Sequence, residues 1–261
     1  MPGKIVLSML SAVALAYAAL CAFMFVAQRS MLYFPVPGGR PPGAEILSVP
    51  SGGETLRLCA RPDKVHGALI YFGGNAEDVS GNFESFAAAL PDVALYFVNY
   101  RGYGGSSGSP SEAALLADAL AVYDWVHARH AQISVAGRSL GSGVAVYLAQ
   151  ARPVERLVLV TPYDSIENVA RGHYPWLPVA LLLKDRFDSA SRIAQVRAKT
   201  LAIVAERDEV IPRERSEALV AKFPAGQIRV EVIPGATHNT LDESPAYLES
   251  IREFLGLRRA V

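Results

Sequence analysis

Cysteine is nearly missing from this 261-residue chain, which has only Cys21 and Cys59, too few for a disulfide framework or a cysteine-held metal. Excess charge is missing too. Lys and Arg number 25, as do Asp and Glu, so no long-range field gathers nucleic acid or draws the chain to anionic lipid, and no basic run with interleaved aromatics occurs. The glycine-rich stretches carry no nucleotide signature. Ser107 stands where a Gly-x-Gly-x-x-Gly begun at Gly102 needs its last glycine, and Gly73-Gly74 leads to no Gly-Lys-Ser/Thr ending. His-Glu-x-x-His and paired histidines are absent as well, leaving zinc unsupported. Nucleic acid is therefore not expected as a partner, and neither a cofactor nor a metal is expected.

Apolar residues, by contrast, make up 51% of the chain, enough for one sizeable α/β core. Residues 5–27 contain no charge, and as a helix these 23 positions span about 35 Å, enough to cross a bilayer. Ala16-Tyr17-Ala18 resembles a small-x-small cleavage site, but the apolar run is longer than a signal-peptide core and continues past it. The expectation is an uncleaved single-pass anchor at 1–30, with the protein held at a membrane. Its direction stays open, because Lys4 on one flank balances Arg29 and Arg40 on the other. Tyr33-Phe34 suit the headgroup level, and the Pro/Gly-rich stretch that follows reads as a linker, 31–43, before the main body at 44–261.

In that body, 45–49 and 55–60 flank Pro50-Ser51-Gly52-Gly53 as a hairpin. Apolar, β-branched runs at 67–72, 93–99, 133–136, 157–160, 201–204 and 228–233 then alternate with helical stretches at 78–90, 111–129, 140–150, 214–222 and 245–255. Repeated βα units require a mainly parallel, twisted sheet with helices on both faces, and right-handed crossovers put functional loops at the strand C-termini. Residues 165–197 break the alternation. They include Tyr174-Pro175-Trp176-Leu177-Pro178 and are too long and apolar for a plain loop. A crossover packed on the core and a small cap lining an acyl pocket fit equally well.

Gly137-Arg138-Ser139-Leu140-Gly141 fits Gly-x-Ser-x-Gly, in which a strand turns sharply into a helix and pushes the serine out at the top of a sheet. A serine hydroxyl needs a base within hydrogen-bond reach, held in one tautomer by a carboxylate. His66 precedes a strand at its wrong end, His127 and His130 belong to the helix before the serine, and His173 lies in the insertion. His238, in the loop after the last strand, is the base candidate. Asp208 follows the 201–204 strand and is the acid candidate, with Glu206 and Glu209 as rivals. The N–H groups of Leu140 and Asn75 are the candidates for an oxyanion hole.

Together, Tyr71-Phe-Gly-Gly-Asn-Ala76, Asn99-Tyr-Arg-Gly-Tyr-Gly-Gly-Ser106, Gly137-Arg-Ser-Leu-Gly-Ser-Gly143, Thr161-Pro-Tyr-Asp-Ser165, Asp208 with Val210-Ile-Pro212, and Gly235-Ala-Thr-His-Asn239 resemble the α/β-hydrolase superfamily. The branch with one N-terminal membrane helix and no large cap is most similar. The resemblance implies a Ser139, Asp208 and His238 triad, an acyl-serine intermediate, and an ester, thioester or amide substrate; with the triad order, the apolar run at 5–27 and the apolar insertion favour a membrane-associated acyl group. A peptidase or amidase, or a binding protein without turnover, would keep the same fold. Relatives commonly carry His-Gly-Asn where this chain has Gly73-Gly74-Asn75, so a side chain that often steadies the oxyanion loop is absent, and slower turnover or a more mobile loop is expected.

Overall fold

The computed structural model describes residues 2–64 and 67–256; His66 lies outside them. The strands are β1 (Glu45–Ser51), β2 (Glu54–Arg61), β3 (Ala68–Phe72), β4 (Ala94–Val98), β5 (Ile133–Arg138), β6 (Arg156–Val160), β7 (Lys199–Ala205) and β8 (Ile228–Ile233). They form one sheet in the order β1-β2-β4-β3-β5-β6-β7-β8. β1, β2 and β4 pair antiparallel, and all other neighbours pair parallel. This is the α/β-hydrolase architecture.

The central strands are buried on both sides, so consecutive residues feed different cores. Ile70 and Phe72 of β3 face one apolar layer, shared with Leu115 and Val122 of α3 (Glu112–His127) and Val144 and Leu148 of α4 (Leu140–Ala151). Leu69 and Tyr71 face the other, shared with Phe83 and Phe86 of α2 (Phe83–Ala89) and Tyr247 and Ile251 of α8 (Pro245–Phe254). The parallel register pairs Phe72 with Gly137, Arg138 with Val160, and Val160 with Ile203. Loops that leave these strands therefore open on one rim.

The N-terminal helix α1 runs Pro2–Leu32 and is long and apolar enough to cross a membrane. The Pro/Gly-rich stretch after it has no regular structure but lies on the body. Phe34 N–H donates to Asn75 Oδ1 (3.0 Å), Gly39 N–H to Ser80 Oγ (2.9 Å), and Gly104 N–H to Val36 C=O (2.9 Å). The 165–197 segment divides in two. Phe187, Ile193 and Val196 are buried in the first apolar layer, whereas α5 (Ile166–His173) and α6 (Val179–Leu182) border an apolar groove whose other wall is Met24, Met31 and Leu32 of α1.

Cys59 is buried on β2, where loss of solvent and then the Asp78 charge push its thiol up to about 12. In a Cys21→Ala background, a maleimide should leave Cys59 unlabelled at neutral pH and label it once denaturant unfolds the sheet. Peptide mass mapping distinguishes the two results.

Candidate active site

β5 gives way to α4 at one residue, Ser139, with φ of 50° and ψ of −116°. An L-residue in such a conformation costs about 1–3 kcal/mol. The strain persists because nothing else fits: a Cβ on Gly137 would lie 2.2 Å from Gly141 C=O, and one on Gly141 would lie 2.1 Å from Phe72 C=O. Ser139 N–H donates to Val160 C=O (2.9 Å), and its own C=O accepts from Ser142 N–H (2.9 Å) and Ser142 Oγ (2.7 Å). With the backbone so held, the side chain projects into the rim.

There, Ser139 Oγ lies 3.0 Å from His238 Nε2, and His238 Nδ1 lies 2.8 Å from Asp208 Oδ2 and 3.0 Å from Oδ1. The three side chains that sequence order singled out are thus within hydrogen-bond reach in one chain. Asp208 Oδ1 also accepts from Val210 N–H (2.9 Å) and Ile211 N–H (2.7 Å), which fixes the carboxylate at the end of β7. Its rivals do other work. Glu206 accepts from Gly235 N–H (2.6 Å) and Glu209 from His238 N–H (3.3 Å), so both clamp the loop that carries the imidazole. With its proton on Nδ1, facing the carboxylate, His238 has a lone pair at Nε2 that can take the hydroxyl proton.

Arg138, the residue before the serine, was not singled out by sequence. It donates to His238 C=O (3.1 Å) and to Asp242 Oδ2 (3.2 Å). Burial works against its charge, but Tyr71, Glu77 and Asp242 outweigh that effect and raise its pKa above the usual arginine range. Of the other described histidines, His130 meets Tyr96 OH (2.7 Å) and His173 meets Val210 C=O (3.1 Å).

The Leu140 N–H heads α4, where a first-turn donor has no carbonyl one turn back. Asn75 sits in the loop after β3, its Oδ1 accepting from Phe34 N–H (3.0 Å) and Tyr103 OH (2.8 Å). Glu77 steadies this loop, taking Gly74 N–H (2.6 Å), Tyr71 OH (2.8 Å) and Asn82 Nδ2 (2.9 Å), while Tyr100 OH donates to Gly73 C=O (2.7 Å). A Cβ at Gly73 would lie 2.5 Å from Val79 Cγ1, so this packing leaves little room for a side chain. The expected looseness is thus met by several ties from elsewhere. Sequence reasoning missed Glu77 altogether and, although Tyr100 and Tyr103 lie in a quoted motif, gave neither tyrosine a partner, because such partners are set by the fold. Among the described residues, no group of three or more His, Cys, Asp or Glu is arranged to hold a metal.

No protein-family model matches the chain. It is 37% identical over 269 residues to an uncharacterized protein of Mycobacterium tuberculosis strain H37Rv, covering 95% of this chain and 94% of that one. It is 28% identical over 224 residues to the lysophosphatidylserine lipase ABHD12 of Gallus gallus, covering 74% of this chain and 59% of the lipase. Among solved structures, the Pyrococcus furiosus esterase Pf2001 superposes with a TM-score of 0.71 at 16% identity, covering 86% of this chain and 98% of the esterase. The chain belongs to the α/β-hydrolase superfamily. It shares the fold of the esterase, and it spans somewhat under two thirds of the bird lipase.

Gly141→Ala should destabilise the fold by about 1–3 kcal/mol, because its methyl meets backbone oxygens that cannot swing aside. Chemical denaturation read by circular dichroism measures the loss.

Proposed function

We propose that this chain is a serine hydrolase that cleaves an ester or thioester through an acyl-serine intermediate, acting on a membrane-associated acyl substrate. One observation carries the reading: the unbroken contact from Asp208 through His238 to Ser139 Oγ, at 2.8 and 3.0 Å. In this reading Ser139 Oγ attacks the acyl carbon as His238 Nε2 takes its proton, and the N–H groups of Leu140 and Asn75 receive the oxyanion. His238 then returns the proton to the leaving alcohol or thiol. Water, deprotonated by the same nitrogen, attacks the acyl-serine; the bond from the acyl carbon to Ser139 Oγ breaks, His238 returns the proton to that oxygen, and the acid leaves. Asp208 stays ionised and stabilises the imidazolium throughout.

The acyl preference draws on the bird relative, which is named a lysophosphatidylserine lipase, and on the length and apolarity of α1. We assign 1–30 to a single-pass anchor, 31–43 to the connecting stretch and 44–261 to the hydrolase body; within 165–197 the part carrying α5 and α6 is a small cap, and the part carrying Phe187, Ile193 and Val196 is a crossover packed on the core. A peptidase or amidase would use the same residues, and a series of esters, thioesters and amides of rising chain length separates these substrates.

Full-length protein in detergent micelles should be labelled by a fluorophosphonate at Ser139, as read by peptide mass. Ser139→Ala should abolish labelling and lower ester hydrolysis at least about a thousandfold while barely changing thermal stability. An unlabelled, folded wild type would instead mark a binding protein without turnover, and equal turnover by the variant would reject Ser139 as nucleophile.

A further inference from the structure

The insertion runs alongside α1, and five polar contacts fix its level. Arg29 pairs with Asp185 (3.0 Å), and Tyr33 OH donates to the same carboxylate (3.1 Å). Gln28 donates to Leu182 C=O (2.9 Å) and accepts from Lys184 N–H (2.7 Å). Eleven residues earlier in α1, Tyr17 OH donates to Trp176 C=O (2.9 Å). At roughly 1.5 Å rise per residue, that last contact lies about 16 Å along the helix from the Gln28 clamp.

That spacing conflicts with an insertion in water. The charge-free run of α1 covers 5–27, and a bilayer's hydrocarbon core is about 30 Å thick. If Trp176 stood outside the core, Tyr17 would stand outside with it. Only residues 5–16 would then remain between Lys4 and that level, about 18 Å of helix, too short to span.

The insertion is built for hydrocarbon. Residues 174–183 carry no charge, and Tyr174, Trp176 and Leu181 are 40%, 53% and 82% exposed. Irregular backbone is tolerated at membrane depth only where its polar groups are satisfied within the protein. Leu177, Val179, Leu181, Leu182 and Leu183 donate their N–H groups within the segment, and Pro175 and Pro178 have none to donate. Trp176 C=O and the Tyr17 phenol, each costly alone in lipid, satisfy one another.

We propose that residues 174–183 are immersed in the hydrocarbon of the leaflet that the hydrolase body faces, so that α1 and the insertion enter the bilayer together. The inference rests on the reading of α1 as a membrane span. The groove between the two elements then opens to lipid acyl chains and not to water.

The two tryptophans, Trp125 and Trp176, make this measurable. Full-length Trp125→Phe, reconstituted in phosphatidylcholine vesicles, retains Trp176 as its one emitter. Replacing the lipid by dibrominated phosphatidylcholine should cut its emission by at least half, while Trp176→Phe, which emits from Trp125 alone, should lose little. A third variant, Leu15→Trp with both native tryptophans changed to Phe, reports on α1. If Leu15→Trp is quenched and Trp176 is not, the insertion lies outside the bilayer and the proposal fails while the anchor stands. If Leu15→Trp is not quenched, the span and the proposal fall together. Should Trp125→Phe not fold, a nitroxide on Leu181→Cys in a Cys21→Ala background serves instead. Faster collision with oxygen than with a water-soluble nickel chelate is expected, and the reverse overturns the proposal.

Discussion

A strand can hand over to a helix within one residue only where the two backbones nearly touch, and this contact sets the geometry of the rim. Gly137 and Gly141 permit it, and Ser139 bears the strain. The serine's position is then measured against the neighbouring strands: its N–H reaches Val160 C=O, and Thr161 N–H reaches Ile203 C=O one strand further on. Nucleophile and acid candidates are thereby indexed to one parallel register. A slip of one residue would turn alternate side chains to the other face and separate them.

Much of this was legible in the chain, for identifiable reasons. Strands buried on both faces read as continuous apolar runs, so the βα alternation and its sheet could be drawn from residues such as Leu69 to Phe72 and Leu201 to Val204. The elbow carries its own spacing, and Asp208 and His238 stand out because each follows a late strand. Side-chain ties across long separations left no such mark. Glu77 differs little from any loop acid until the fold brings Gly74 N–H and Tyr71 OH to it, and Tyr100 meets Gly73 C=O only because β3 and β4 are neighbours. Composition also misleads where it reports irregularity and is taken for freedom. The stretch after α1 has no regular structure, yet it is fastened to Asn75, Ser80 and Gly104.

The same fastening bears on the missing histidine at position 73. One side chain that could steady the loop is absent, and the task is spread over a carboxylate, two tyrosines and the chain leaving α1. Several partial restraints hold a loop as one strong restraint does, but they make its position depend on distant parts of the fold. The loop that bears Asn75 is therefore joined mechanically to the end of the apolar helix.

The long separation between Arg138 and the imidazole loop it grips also has a temporal side. Synthesis proceeds at about 5–20 residues per second, and the roughly two hundred residues between Leu32 and His238 take some 10–40 s to make at that pace. Until the last strands are made, Ser139 lacks its contact with His238 and Arg138 lacks its contact with Asp242. The rim is therefore completed last, by the C-terminal part of the chain closing onto residues made long before it.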